Sequence, residues 1–229
     1  MLRPWLLVAC LCVGGSAAFA QGRDQSEYAL DLSGGTHFPV SLGVDAQLEM
    51  PHRILSRAHL GMMPPGYIDV INATATGLDF YDDATADLIA AAVEQTIVVR
   101  IGAGYRPLAH RGLELGLGYT LAFGGGSLTS SDNIAQASGQ QVGERSGGIP
   151  ITSTLHALHV DVGWRWHIET RWVLCVAVGY LHTVAASTNI DVGRDRQSGP
   201  VRAAEAYVND QLTSYTRSPE LKLSFGARF

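Results

Sequence analysis

The residues best suited to chemistry are a histidine and a carboxylate, His159 and Asp161, separated by a single valine. They lie in a segment where apolar and polar residues alternate, which is typical of a β-strand, so both side chains point to the same face. Such a pair could activate water or a nucleophile. The pair lies in mid-strand, however, where an enclosed sheet would deny access to a polymeric substrate. We therefore expect a structural role for it.

A second candidate is a membrane lipase, which would need a Ser–His pair at a rim. His182 lies near a predicted strand end, and Ser127, Ser130 and Ser131 lie in a predicted loop, but no spacing links them. The sequence contains no zinc-ligand spacing, phosphate-binding loop or dinucleotide fingerprint in a usable context. We therefore predict no catalytic, cofactor-binding or metal-binding residues, no cofactor and no enzyme activity.

Acidic residues mark the segment 63–95, which holds no basic residue. Within it, 83–95 predicts a short helix with acids in its first turn, where the helix dipole favours them, and an apolar face of Leu88, Ile89, Ala92 and Val93. One interpretation is a helical lid that rests its apolar face on a rim and leaves its acids in water. The other is a surface that binds a divalent cation or a partner, through Asp79, Asp82, Asp83 and Asp87.

Strict alternation is the pattern that organises the rest of the chain. Between Leu113 and Phe123 every odd position is apolar, and polar or small residues lie between them. Because successive side chains of a strand point to opposite faces, one face of this segment must lie in an apolar medium. Its length of about eleven residues suits a transmembrane β-strand, which needs ~9–11.

The same pattern recurs often enough to predict eight strands. The other segments are 28–32, 38–48, 54–62, 97–105, 158–166, 172–180 and 221–229, and whether 28–33 forms a full first strand is left open. A β-sandwich would alternate too, but here the polar face mixes Arg and Asp with many glycines, and aromatic residues gather at strand ends as at a membrane boundary. We predict an all-β fold: an eight-stranded antiparallel up-and-down transmembrane β-barrel with one short helix in an extracellular loop.

The connections predict which end of the barrel faces outward. Short ones are predicted at 50–52, 107–112 and 168–170, long ones at 63–95, 124–153 and 184–218, and a tight turn at 34–36. Bacterial transmembrane barrels have short periplasmic turns and long outer loops. Counting back from Phe229 in the periplasm places every short connection on that side. The long loops 124–153 and 184–218 are rich in polar residues and resemble mobile display loops.

Charged residues lie on the inward face of the predicted barrel. Because eight strands enclose an interior just wide enough for side chains to fill, and because isolated buried charges are costly, we predict a packed ion-pair network. The alternative is a narrow pore or a proton path. The predicted lumen residues are Asp45, Glu49, Arg53, Arg57, Arg100, Arg106, Glu114, His159, Asp161, Arg165, Glu220, Lys222 and Arg228.

The amino terminus predicts export. A basic start, a short apolar run and an Ala-Phe-Ala exit at 18–20 are the layout of a cleaved signal peptide, 1–20, which leaves residues 21–229 as one barrel domain. Cys10 and Cys12 would leave with the signal, and Cys175 alone cannot form an intrachain disulfide. The net charge of −5 argues against nucleic acid as a partner.

Taken together, the signal-like start, the eight strands and the closing run resemble the small outer-membrane β-barrel proteins of Gram-negative bacteria. These include the OmpA transmembrane domain and the OmpX/Ail and opacity-protein groups. The resemblance implies that the closing run is read by the barrel-assembly machinery; its residues here are Leu221, Leu223, Phe225, Ala227 and Phe229. The resemblance rests on the pattern of the whole mature chain, and it supports the fold and location better than an activity.

The sequence thus predicts an integral protein of the cell outer membrane, a monomer with a filled lumen and a structural or surface-interaction role through its long loops. Expected partners are outer-membrane lipid, lipopolysaccharide, the assembly machinery during biogenesis and an unidentified extracellular partner. The alternatives are a small pore for passive transport and a rim enzyme acting on lipid A or protein.

Overall fold

The computed structural model describes residues 28–77, 83–108, 112–128, 149–191, 199–215 and 217–229. Eight antiparallel strands follow one another in sequence order and close into a barrel, so the predicted fold class is confirmed. The predicted signal peptide lies outside the described residues. The strands are β1 Ala29–Phe38, β2 Ser41–Met50, β3 Ile54–Met62, β4 Ile97–Tyr105, β5 Leu113–Leu128, β6 Ile149–Ile168, β7 Trp172–Ile190 and β8 Ser218–Arg228.

The alternating residues take the faces that the sequence predicted. Apolar side chains such as Leu60, Leu117 and Val160 point outward and are more than half exposed, and charged side chains between them are buried inside. An outer surface of this kind is stable only in an apolar medium, because water would have to solvate the whole band.

The first hairpin differs from the prediction, which placed a tight turn at 34–36. Gly34 and Gly35 instead pair within the β1–β2 ladder, opposite Val44 and Gly43. A side chain at Gly35 would place a Cβ 2.3 Å from the Leu223 carbonyl oxygen, so this glycine serves close strand packing and not a turn. The chain reverses at Pro39–Val40, where the Val40 amide donates to the His37 carbonyl at 2.7 Å. Phe38 therefore ends β1, and Val40, predicted to face lipid, is buried inside.

The two ends of the barrel differ. One end, the turn end, holds the turns 51–53 and 169–171, the end of β4 and the start of β5, together with the start of β1 and the end of β8. The opposite end, the loop end, holds the Pro39–Val40 turn, the ends of β3, β5 and β7 and the starts of β4, β6 and β8. Three strands extend beyond their predicted limits at the loop end: β5, β6 and β7, which remain paired with one another as far as Leu128, Ile149 and Ile190.

Three helices lie in the described part of the loop end, where the sequence predicted one. They are α1 Pro65–Gly77, α2 Asp83–Val93 and α3 Gly199–Tyr215. The predicted helix at 83–95 is α2, whereas α3 lies in the segment predicted as a mobile display loop. Among the described residues, no helix is both long and apolar enough to span a membrane.

The helices pack inside the extended strands and form a core of their own, which we call the helical cap. Val201, Ala204, Val208 and Leu212 of α3 are fully or almost fully buried there, together with Ile89 and Ala92 of α2 and Ile149, Ile151 and Ile190 of the extended strands. The spacing of the four α3 residues, i, i+3, i+7 and i+11, is that of one helix face. This spacing is present in the sequence and contradicts the display-loop interpretation.

Candidate functional site

The barrel interior holds the charged residues, and its turn end is organised around Glu114. This carboxylate, 1% exposed, accepts from three guanidinium groups. Arg106 Nη2 and Arg165 Nε lie 2.7 and 2.9 Å from Oε1, and Arg57 Nη2 lies 2.8 Å from Oε2. The Gln47 amide donates to Oε1 at 3.2 Å. Three positive charges therefore surround one negative charge, so the arginines need further carboxylates as partners.

The same arginines reach further carboxylates. Arg57 Nη1 donates to Asp161 at 2.8 Å, and Arg106 Nη1 donates to Glu49 at 2.6 Å. Arg228 also donates to Glu49. Because Arg165 also pairs with Asp31 of β1, the result is a continuous chain of ion pairs that joins β1 to β6 and β8 through the interior.

We call this set the turn-end network. Its four cations and four anions balance, which is the condition for burying charge, since an unpaired buried ion costs several kcal/mol. Its charged members are Arg57, Arg106, Arg165, Arg228, Asp31, Glu49, Glu114 and Asp161.

Above the network, halfway along the interior, Asp45 is the centre of a second group. Lys222 Nζ lies 2.7 Å from Asp45 Oδ1, and His37 Nε2 donates to the same oxygen at 3.0 Å. His59 Nδ1 is 3.4 Å from it, but without the alignment of a hydrogen bond. The second oxygen of Asp45, Oδ2, is buried and has no hydrogen-bond partner.

A cavity of about 40 Å³ lies beside this group. That volume has room for a few water molecules, since one needs about 10–15 Å³. Arg100 lines it and forms a two-pronged ion pair with Glu220, at 2.6 and 3.0 Å. We call this part of the interior the chamber; the side chains that line it include His37, Asp45, Arg57, His59, Arg100, His159, Asp161, Glu220 and Lys222.

An apolar layer lies between the chamber and the helical cap. Val40, Val98, Ala122, Ala157 and Leu181 are buried and pack against one another at the next inward-facing positions. From the turn end to the loop end the interior therefore holds an ion-pair network, a polar chamber, an apolar layer and a helical core. A hydrated ion passing through would have to lose its water at the apolar layer.

The structure brings most of the predicted lumen residues together, with one exception. Arg53 lies in the short turn Pro51–Arg53, where its Nη1 donates to the Pro107 carbonyl at 3.1 Å, because β2 ends at Met50. His159 and Asp161 share a face, but His159 contacts the Thr120 hydroxyl at 2.9 Å while Asp161 accepts from Arg57.

Several interior residues were not predicted. Asp31 was not predicted because the first strand was ended too early, although its alternation with Leu30 and Leu32 was available. His37 was placed on the polar side of the second strand, whereas it lies near the end of β1. His59 and Gln47 alternate with apolar residues in the sequence, and nothing in that pattern distinguishes them from other inward-facing polar residues. Their importance arises from contacts across the barrel, which strand spacing alone does not show.

The predicted loop surface is only partly described. Asp79 and Asp82 lie outside the described residues, Asp83 begins α2, and Asp87 is exposed on that helix. In the closing strand, Leu221, Leu223, Phe225 and Phe229 are exposed on the outer face, and Ala227 is partly buried. Their role in assembly stays a prediction.

Comparison with known proteins gives no family but does give likenesses to solved structures. No protein-family model and no curated protein matches the chain. The crystal structure of Acinetobacter baumannii CarO is similar over 90% of this chain and 100% of that one, with 14% identity and a TM-score of 0.42. A major outer membrane protein from Thermus thermophilus is similar over 88% of this chain and 98% of that one, with 10% identity and a TM-score of 0.43. Eight antiparallel strands with an apolar outside and a charged inside are the architecture of an outer-membrane β-barrel.

Proposed function

We propose that the protein is an integral outer-membrane barrel with a filled, non-conducting interior, and that its role is structural or interactive, exercised through the helical cap at the loop end. The turn end then faces the periplasm, since short turns lie on that side of bacterial barrels. A cleaved signal peptide directs export of the chain. In the outer membrane, lipid and lipopolysaccharide surround the band of apolar side chains.

The observation that carries this proposal is the sequence of layers across the interior. The turn-end network is charge-balanced, and the apolar layer of Val40, Val98, Ala122, Ala157 and Leu181 lies above the chamber. Charged groups alone would be compatible with a polar pore. A buried apolar layer in series with them opposes the passage of ions, because it offers no ligand in place of their hydration shell.

The cap supports an interactive role over a merely anchoring one. Buried apolar residues from α1, α2, α3 and the extended strands give it a folded core, so the chain maintains a defined structure at the loop end. A defined surface is better suited to a specific partner than a mobile loop, because less conformational entropy is lost on binding. Asp87 of α2, which is exposed, would then lie on the side facing the environment.

Planar-bilayer conductance tests the filled interior. The purified full-length barrel should give no steady channel steps. The positive control is a triple variant that removes bulk from the apolar layer, through Val98→Gly and Leu181→Gly, and from the turn-end network, through Arg57→Ala. The folded triple variant should conduct. Steady steps from the wild-type protein would overturn the proposal in favour of a small pore. Altered lipid A in overexpressing cells would overturn it in favour of a rim enzyme.

A further inference from the structure

We propose that His37, Asp45 and His59 form a binding site for a divalent first-row transition metal ion, such as Zn²⁺, in which Lys222 competes with the metal. The three residues lie on the neighbouring strands β1, β2 and β3, and their side chains meet at the wall of the chamber. They are 7%, 6% and 4% exposed.

The donor atoms lie close enough together to be candidates for ligands of one metal ion. His37 Nε2 and His59 Nδ1 lie 3.0 and 3.4 Å from Asp45 Oδ1, and one ligand atom from each residue lies within 4.8 Å of the others. Zinc binds nitrogen and oxygen at about 2.0–2.2 Å in a tetrahedron, which sets its ligands roughly 3.3 Å apart. Both separations from Asp45 Oδ1 fit such an ion.

Two orphaned atoms indicate that this group has unused binding capacity. Asp45 Oδ2 and His59 Nδ1 are buried and make no hydrogen bond. Buried polar atoms are nearly always paired, so two unpaired atoms in one group need an explanation. A metal ion would accept both as ligands.

The second ring nitrogen of His59, Nε2, has the partner expected of a metal-binding histidine. Its Nε2 is 2.9 Å from the Ser41 hydroxyl. Ligating histidines generally use the second ring nitrogen to donate to a polar neighbour, which fixes the ring and leaves the other nitrogen free to bind. Ser41 is fully buried beside His59 and can accept that bond.

The choice of metal follows from the ligand types. Two imidazoles and one carboxylate favour Zn²⁺, Cu²⁺, Ni²⁺ or Fe²⁺ over Ca²⁺ and Mg²⁺, which prefer oxygen. Three ligands from one wall leave the remaining positions toward the chamber, where water could occupy them. A set of three protein ligands with an open position differs from a closed structural site, which has four protein ligands.

Lys222 and Arg100 oppose the metal and set its affinity. The Lys222 ammonium is 2.7 Å from Asp45 Oδ1, so it already supplies a positive charge there. Arg100 Nη1 donates to His37 Nδ1 at 3.2 Å, which keeps the proton on Nε2. Binding therefore requires Lys222 to leave Asp45, and Arg100 to turn fully to Glu220, with which it already makes two bonds. The His37 proton then moves to Nδ1.

The test compares metal binding by full-length barrels in detergent, with Zn²⁺ measured by equilibrium dialysis and Co²⁺ by its visible spectrum. Lys222→Met should bind Zn²⁺ at least tenfold more tightly than the wild type, because it removes the competing cation. Adding His59→Gln or Asp45→Asn to Lys222→Met should abolish the gain and the tetrahedral Co²⁺ spectrum.

His159 provides the matched control, since it lines the same chamber but forms its hydrogen bond with Thr120 and not with the Asp45 group. Lys222→Met with His159→Gln should keep the tight site. Heat-dependent migration in gels verifies that each variant is folded. No stoichiometric metal on folded Lys222→Met, or a gain that survives His59→Gln, would overturn the proposal. Conductance is independent of this result, so the filled-interior proposal stands or falls separately.

Discussion

Arg165 on β6 reaches Asp31 on β1 through the interior, and its Nη1 donates to Oδ2 at 3.1 Å. The two strands are not neighbours, because β7 and β8 lie between them. The same guanidinium donates through Nε to Glu114 and through Nη2 to Gln47, at 2.9 and 2.7 Å. Arg165 thus connects three other strands of the wall through the interior. The network therefore holds the strands together as well as occupying the interior space.

Replacing Glu114 with Gln should strongly destabilise the barrel. The change keeps the shape but removes the negative charge that Arg57, Arg106 and Arg165 share, and breaking a buried ion pair from one side costs about 3–5 kcal/mol. Urea unfolding in detergent measures the change in free energy. Glu169→Gln in an exposed turn is the control and should stay within about 0.5 kcal/mol. Equal effects of the two changes would mean that the network contributes no stability.

Replacing Leu117 with Arg tests the outward face. Leu117 is 65% exposed and lies near the middle of the alternating stretch 113–123 of β5, so the charge would lie in lipid, at a cost of about 2–4 kcal/mol near the bilayer midplane. Refolding into vesicles followed by denaturant titration gives the difference. Ser127→Arg lies on the same strand beyond the apolar band and should be nearly neutral. A neutral Leu117→Arg would indicate that this face does not meet lipid.

Features that depend on neighbouring residues could be predicted from the sequence, whereas contacts between residues distant in sequence could not. Leu113 to Phe123 and their partners follow the two-residue period of a strand, so the strands and their outward faces were predictable. The Pro39–Val40 turn was missed because Gly34 and Gly35 resemble a turn, whereas both lie inside β1 and Gly35 serves close contact with β8, which is distant in sequence. The contacts of Asp45 with His37, His59 and Lys222 depend on barrel closure and register, neither of which local spacing determines.

Deleting Phe229 should slow insertion into the outer membrane if the closing strand is an assembly signal. Pulse-labelling followed by the heat-dependent gel shift measures the rate at which folded barrel appears. Tyr28→Ala is a matched control, because Tyr28 and Phe229 are 67% and 66% exposed and both lie at the turn end. A loss of the aromatic boundary alone would slow both variants equally and would remove the special role of the terminal residue.

Gly124→Ala should loosen the helical cap without unfolding the barrel. The last turn of α2 lies directly on β5, and its Ala92 carbonyl accepts a bond from the Ser153 hydroxyl of β6 at 2.5 Å. A Cβ at Gly124 would lie 2.6 Å from that same carbonyl oxygen and from the Thr96 hydroxyl, so α2 must shift and lose part of its apolar contact. Hydrogen exchange of the α2 amides should therefore accelerate.

Gly66→Ala in α1 is the control for this change, since a Cβ there meets nothing within 4 Å. Its α2 amides should exchange as in the wild type. Both variants should remain silent in planar bilayers, because the apolar layer around Val98 lies below the cap and is untouched. Channel steps from Gly124→Ala alone would show that the cap, and not the apolar layer, is what keeps ions out of the interior.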